Sequence, residues 1–152
     1  MKIIIIFLCH GNICRSSAAE YVFKDLLKKE GREKDFYVLS RGASSEEQGN
    51  DIYPPMKRAL RDAGIPFEKH TAMKITQADY DHADAIFYMD ESNIKLLTYR
   101  IADTRRICHP LSIFTPRLGE ISDPWYTREF DEVLGEIVDC CKDILKNIDR
   151  IV

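Results

Sequence analysis

The chain opens with an unbroken apolar run, Ile3-Ile4-Ile5-Ile6-Phe7-Leu8. A run without polar alternation predicts a strand buried on both faces, as in the middle of a parallel sheet. It breaks into Cys9-His10-Gly11-Asn12. From Ala18 the period changes. Ala18, Ala19, Val22, Phe23, Leu26 and Leu27 recur at helical spacing, with Lys24, Lys28 and Lys29 between them and Gly31 as a stop. Ser17 and Glu20 have the spacing of a capping box. The first unit therefore reads strand, glycine-containing loop, helix.

The alternation continues. Phe36-Tyr37-Val38-Leu39 predicts a second strand, followed by a polar loop from Gly42 to Asp51. Met56 to Ala63 predicts a short helix, begun after Pro54-Pro55 and ended at Gly64. A third strand falls within residues 83–89, a helix over Glu91 to Thr98, and a short fourth strand at Arg106-Ile107-Cys108. The stretch from His109 to Trp125, with Pro110, Pro116 and Pro124, reads mostly as loop. Phe130, Val133, Leu134, Ile137, Val138, Cys141, Ile144, Leu145 and Ile148 mark one stripe of a long last helix. The expectation is an α/β fold, a single domain over residues 1–152, with a four-stranded parallel sheet and helices on both faces. Ligands in such folds bind beyond the carboxyl ends of the strands, which directs attention to the loop after the first strand.

Composition narrows the class. The apolar content of 45% and charged content of 31% suit a folded globular chain. A formal net charge of −3 gives no reason to expect a nucleic-acid partner. Lys2 and the apolar run resemble the start of a signal peptide, but the run is short and no small-residue cleavage site follows. No run is long enough to span a membrane. The 5 cysteines, Cys9, Cys14, Cys108, Cys140 and Cys141, are odd in number and include no Cys-x-x-Cys pair. Reduced thiols in a cytoplasm fit this usage. The histidines do not cluster with cysteines at metal-ligand spacing, so neither a metal nor a cofactor is expected.

Cys9-His10-Gly11-Asn12-Ile13-Cys14-Arg15-Ser16 contains Cys-x5-Arg, and no other cysteine has an arginine six positions on. The spacing alone is a weak signal; its place between a buried strand and a helix strengthens it. Such a loop can turn successive backbone N–H groups inward beside the positive helix end and so bind an anion. Gly11 and Asn12 tolerate the left-handed backbone that the wrapping needs. Arg15 adds a planar fork for two phosphoryl oxygens. The same field stabilises a thiolate at Cys9, and Ser16 can hydrogen-bond the sulfur. The alternative is a structural cysteine at a strand end beside a capping arginine.

This loop, followed by Ala19-Glu20, resembles the signature of the low-molecular-weight protein tyrosine phosphatases. The likeness runs along nearly the whole chain through Ser40-x-Gly42, Gly64-Ile65, His70-x-Ala72, Asp79, Asp84-x-Ile86, Met89-Asp90, Asn93 and Asp123-Pro124-Trp125-Tyr126. The resemblance implies a metal-independent hydrolysis of phosphotyrosine through a cysteinyl-phosphate. Cys9 would be the nucleophile, with Arg15 and residues His10 to Cys14 around the phosphoryl group. It implies that Asp123 protonates the leaving phenol and then activates water, that Trp125 and Tyr126 wall the cleft, and that Asn12, Ser16, Ser40 and His70 hold the loop in shape. It also implies a reversible disulfide between Cys14 and Cys9, against the plain reading of Cys14 as a small packed hydrophobe. The expected partners are phosphotyrosine proteins or peptides, with inorganic phosphate or other oxyanions in the loop, and the expected state is a monomer.

The chain departs from the family pattern in places. His10 stands where a small or branched apolar residue is common, Ser17 where a proline is, and Pro55 where an arginine is usual. Glu46 and Glu47 align where many members have an aromatic residue and a histidine, so one wall of the cleft is acidic or absent. These changes bear on substrate range. Among rival activities, arsenate reductases on this fold need further redox cysteines, and residues 73–100 have none. Protein-arginine phosphatases carry threonine at the position of Ile13. A non-catalytic phosphate receptor would need neither a thiolate nor a proton donor.

Overall fold

A computed structural model describes all residues, Met1–Val152. Its centre is β1 (Ile3–Cys9). Ile5, Ile6, Phe7 and Leu8 are all fully buried. Alternate side chains of β1 enter two different cores, which is why the run shows no polar alternation. Ile5, Phe7 and Cys9 point into the larger core and Ile6 and Leu8 into the smaller.

Strands β2 (Phe36–Gly42), β3 (Ala85–Tyr88) and β4 (Cys108–Pro110) complete a parallel sheet in the order β2-β1-β3-β4. Ile5 lies opposite Val38 on one side and Ala85 on the other. The chain therefore leaves β1 in one direction to form β2 and returns on the other side to form β3. The carboxyl end of β1 is the switch point, where α/β folds bind their ligands.

Helices α1 (Arg15–Lys29) and α6 (Phe130–Asn147) cover the larger core, joined by α2 (Pro54–Asp62). Phe7 stacks on Phe87 at 5.8 Å and meets Phe23 of α1 at 5.6 Å. The opposite face packs against α3 (Gln77–His82) and α4 (Glu91–Arg100) through Tyr80, Leu97 and Ile101. A last short helix, α5 (Pro124–Thr127), follows a 3-10 turn at Pro116–Leu118.

Several boundaries differ from the sequence-based expectation. Helix α1 begins at Arg15, not Ala18, with Cys14 as its cap residue and no side-chain cap. Ser17 and Glu20 do not form a capping box. Ser17 donates back to the Cys14 carbonyl, and Glu20 turns inward to accept from Ser40. The second strand runs on to Gly42. Helix α3 has no counterpart in the sequence pattern; it is short and polar, with only Tyr80 buried, and a Thr76–Asp79 capping box starts it. The fourth strand is Cys108–Pro110 and not 106–108, because Arg106 takes a left-handed φ of 56°. Cys140 is as fully buried as Cys141. No helix is long and apolar enough to cross a membrane.

Candidate active site

The loop from Cys9 to Arg15 wraps the carboxyl end of β1 and is held from outside by its carbonyls. Ala43 N–H donates to Cys9 O at 2.8 Å, Ser44 N–H to His10 O at 3.0 Å and Tyr53 N–H to Ile13 O at 2.8 Å. His70 Nε2 donates to Asn12 O at 2.6 Å. Ala18 N–H reaches Cys14 O at 3.0 Å. Since N–H and C=O of a planar trans peptide point in opposite directions, carbonyls drawn outward turn the amides inward. The first N–H groups of α1, which no helical carbonyl can take, add to the same positive end.

Two positions make the wrap possible. Asn12 takes a φ of 64°, a left-handed conformation that its short amide tolerates. Gly42, at the end of β2, lies under the loop. A Cβ there would come within 3.1 Å of His10 O and 3.2 Å of the Gly11 carbonyl carbon, so only glycine fits without displacing backbone.

Beneath the loop runs a directed hydrogen-bond chain. Met73 N–H donates to Asn12 Oδ1 at 3.0 Å, which fixes the amide orientation. Asn12 Nδ2 then donates to Ser16 Oγ at 2.9 Å and Ser40 Oγ at 3.0 Å. Ser40 donates onward to Glu20 Oε1 at 2.6 Å. With its oxygen already accepting from Asn12, Ser16 keeps its own proton for Cys9 Sγ, 3.0 Å away. Asn12, Ser16, Ser40 and His70 are all buried. Glu20, which terminates the hydrogen-bond chain, is marked in the sequence by its place in the Ala19-Glu20 pair of the resemblance and by the spacing of a helix-capping residue, and neither announces its bond to Ser40.

Arg15 is the first residue of α1 and only 2% exposed. Its Nη1 donates to Asp90 Oδ2 at 2.7 Å and to Ile121 O at 2.8 Å, while Nη2 stands 3.5 Å from Asp123 Oδ2. Burial alone would lower the affinity of this guanidinium for its proton. The charges of Cys9, Asp90 and Asp123 outweigh burial and raise it. In the sequence Asp90 is only a landmark of the resemblance. It lies just after β3 and caps α4 through Asn93 N–H, which accounts for its Asp-x-x-Asn spacing. Burial pulls its carboxyl up, but bonds from Ser92 and Arg15 more than offset this and hold it below the usual carboxylate range.

Asp123 has extended backbone, as expected before Pro124, and caps α5 by accepting from Trp125 N–H at 3.0 Å. A cleft of about 430 Å³ brings together Cys9, His10, Gly11, Ile13, Cys14, Arg15, Glu46, Glu47, Asp123, Trp125 and Tyr126. Trp125 is half-exposed and rests on Tyr53 at 4.7 Å, and Tyr126 is 81% exposed at the rim. Arg128, at a left-handed φ of 64°, lies over both Tyr53 and Phe130 and fixes this corner. Tyr53 and Arg128 belong to no motif, and nothing in the sequence singles them out. Cys14 is a free thiol, as is Cys9; burial, then the charges of Cys9 and Asp123, push the Cys14 thiol well up, so it stays protonated. No group of three or more His, Cys, Asp or Glu side chains is arranged to hold a metal ion.

A thiol at the switch point of a parallel sheet, in an inward-turned amide loop with a buried arginine and a facing aspartate, defines a cysteine-dependent phosphatase. Comparison with known proteins gives the family. The sequence profile of the low molecular weight phosphotyrosine protein phosphatases matches residues 4–152. The low molecular weight protein-tyrosine-phosphatase YfkJ of Bacillus subtilis is 33% identical over 150 residues, 96% of each chain. The human low molecular weight phosphotyrosine protein phosphatase is 34% identical over 152 residues, 93% of each chain. The crystal structure of YfkJ superposes with a TM-score of 0.93 over 99% of this chain and 96% of that one, at 32% identity. The chain belongs to the low molecular weight phosphotyrosine protein phosphatase family and is a cysteine-dependent protein-tyrosine phosphatase.

Proposed function

We propose that this chain hydrolyses phosphotyrosine in proteins or peptides through a cysteinyl-phosphate intermediate, without a metal. The observation that carries the reading is the meeting of three groups in one cleft: the Cys9 thiol against Ser16, the buried Arg15, and Asp123 across from it.

The phosphoryl oxygens sit among the inward amides of His10 to Cys14 and the Arg15 fork, which neutralise charge in the transition state. Cys9 thiolate attacks phosphorus; the S–P bond forms as the P–O bond to tyrosine breaks. Asp123, protonated at this stage, gives its proton to the phenolate oxygen. As a carboxylate it then takes a proton from a water that attacks phosphorus; the new O–P bond forms as the S–P bond breaks, releasing inorganic phosphate and the thiolate. Ser16 donates to the departing sulfur. Trp125 and Tyr126 flank the substrate ring. Asp90 and the Ile121 carbonyl hold Arg15 in the plane it needs. The chain acts as one domain over residues 1–152, a monomer in a reducing cytoplasm.

The test is phosphate release from a phosphotyrosine peptide in the presence of a chelator. Wild-type protein is expected to turn over, Cys9→Ser to bind peptide without turnover, and Asp123→Ala to lose roughly 10²–10⁴ in kcat, the scale of general acid catalysis. Binding by the wild-type protein with no phosphate released would make the loop a receptor and sink the enzymatic reading.

A further inference from the structure

The phosphotyrosine reading leaves open which phosphotyrosines are taken, and the two walls of the cleft bear on this. One wall is aromatic, Trp125 and Tyr126; the other carries Glu46 and Glu47. Besides Asp123, the proton donor of the first step, the lining holds the carboxylates of Glu46 and Glu47 against the Arg15 guanidinium and the His10 imidazole. Arg15 is already engaged by Asp90 and Asp123.

The two glutamates are placed differently. Glu46 Oε2 meets His10 Nε2 at 2.9 Å, and the side chains are 72% and 43% exposed. Such an exposed pair is weak and exchangeable. Glu47 makes no ion pair. Its carboxylate accepts only from Asn50 Nδ2, at a long 3.3 Å. Its stem lies across the phosphate loop, and a Cβ on Gly11 would come within 3.1 Å of Glu47 Cγ. A carboxylate without a cation is thus held against the loop that takes the phosphoryl group.

The amides and Arg15 take the phosphate dianion, but Glu46 and Glu47 add repulsion beside it, and positive charge arriving with the substrate lowers that cost. Glu46 and Glu47 line the same cleft as Cys9 and Arg15, within reach of the side chains next to a phosphotyrosine whose phosphate enters the loop. We propose that Glu47, joined by Glu46 on release from His10, is a specificity determinant that docks a lysine or arginine side chain next to the phosphotyrosine. The substrate class is then phosphotyrosine in basic sequence context. This inference rests on the phosphotyrosine reading and deepens it.

The experiment compares kcat/KM for two phosphotyrosine peptides, identical except for lysine or glutamate at both flanking positions, with p-nitrophenyl phosphate alongside. Wild-type protein is expected to favour the lysine peptide roughly five- to tenfold, the scale of two half-exposed charge pairs, mainly through KM. The preference shrinks in about 0.5 M salt. It falls towards unity in Glu46→Gln/Glu47→Gln and reverses in Glu47→Lys. Because each variant is its own reference, a general loss of folded protein leaves the ratio unmoved. A wild-type ratio near one, or a preference untouched by the double substitution, overturns the inference while leaving the enzymatic reading intact. No hydrolysis of either peptide or of p-nitrophenyl phosphate overturns both.

Discussion

Asp90 offers a clean test of how the arginine is held. It has two duties: its carboxylate pairs with Arg15 at 2.7 Å, and it caps α4 by accepting from Asn93 N–H. An asparagine at this position would keep a good cap and lose the charge, so Asp90→Asn isolates the ion pair. The Arg15 side chain is 3% exposed and that of Asp90 21%. The pair lies between a surface pair, worth about 0–1 kcal/mol, and a buried one whose breaking costs about 3–5 kcal/mol. A loss of about 2 kcal/mol follows, or roughly 4–8 °C in Tm for a chain of this size. Asp90→Ala should lose about 1 kcal/mol more, the worth of the cap. The sign of the pH effect is also fixed. The carboxyl is held below its unfolded value, so its contribution is full above the ordinary carboxylate range and is lost as pH falls through the depressed native value. The stability gap between wild type and Asp90→Asn should therefore close in acid. Urea unfolding followed by circular dichroism, at neutral and acid pH, measures this, and kcat/KM should fall by about 10–100-fold as the fork loses its plane. An Asp90→Asn protein within about 0.5 kcal/mol of wild type, the scatter of ordinary surface substitutions, and fully active would refute the account of Arg15.

Three further outcomes are expected. Asn12→Ala should destabilise by about 3 kcal/mol, from a non-glycine residue forced to positive φ and from buried hydroxyls left without a donor; Asn12→Gly should recover about 1 kcal/mol of this in a denaturant titration, and equal values would remove the backbone argument. Ser16→Ala should slow breakdown of the phosphorylated intermediate about 10-fold or more, seen as a larger burst of aryl alcohol before a slower steady state; an unchanged steady state would mean that the hydroxyl does not assist the leaving sulfur. The Asp51 carboxyl, which burial would raise but which Lys57 and the His70 and Ile52 N–H groups bring down to about 2, stabilises the fold above the ordinary carboxylate range and loses that contribution as pH falls towards about 2; Asp51→Asn should flatten the acid limb of the stability curve, and an unaltered limb would contradict this.

What can be read from the chain alone follows from where each signal resides. β1 is an unbroken apolar run and α1 and α6 bury long, periodic apolar sets, and both signals are visible without a structure. Helix α3 is six residues with one buried side chain, so it has almost no period; its Thr76–Asp79 cap is its only mark. The fourth strand lies two residues later than its apolar pattern suggests, because three residues pairing with β3 depend on a left-handed Arg106, which composition does not announce. At the site, the loop residues are contiguous and legible together. Asp90 and Tyr53 lie apart from the loop's motif in sequence and join it only through the packed fold. The Ser17–Glu20 spacing misleads because a tertiary partner, Ser40, takes the carboxylate that local geometry would have given to the helix end.

The placement of Cys9 at the end of the most deeply buried strand separates what opens easily from what does not. β1 is bonded along both edges and buried on both faces, so its amides should exchange with solvent only when the whole molecule unfolds. The segments that shape the rim, 44–50 and 123–128, are largely exposed and can open at far lower free energy. The Cys9–Arg15 loop is thus carried by the strand expected to exchange most slowly, and the rim of the cleft by exposed segments expected to open far more readily. Sequence change at the rim can redirect the choice of substrate with little effect on global stability, whereas substitutions in the core reduce activity chiefly through the fraction of molecules that are folded.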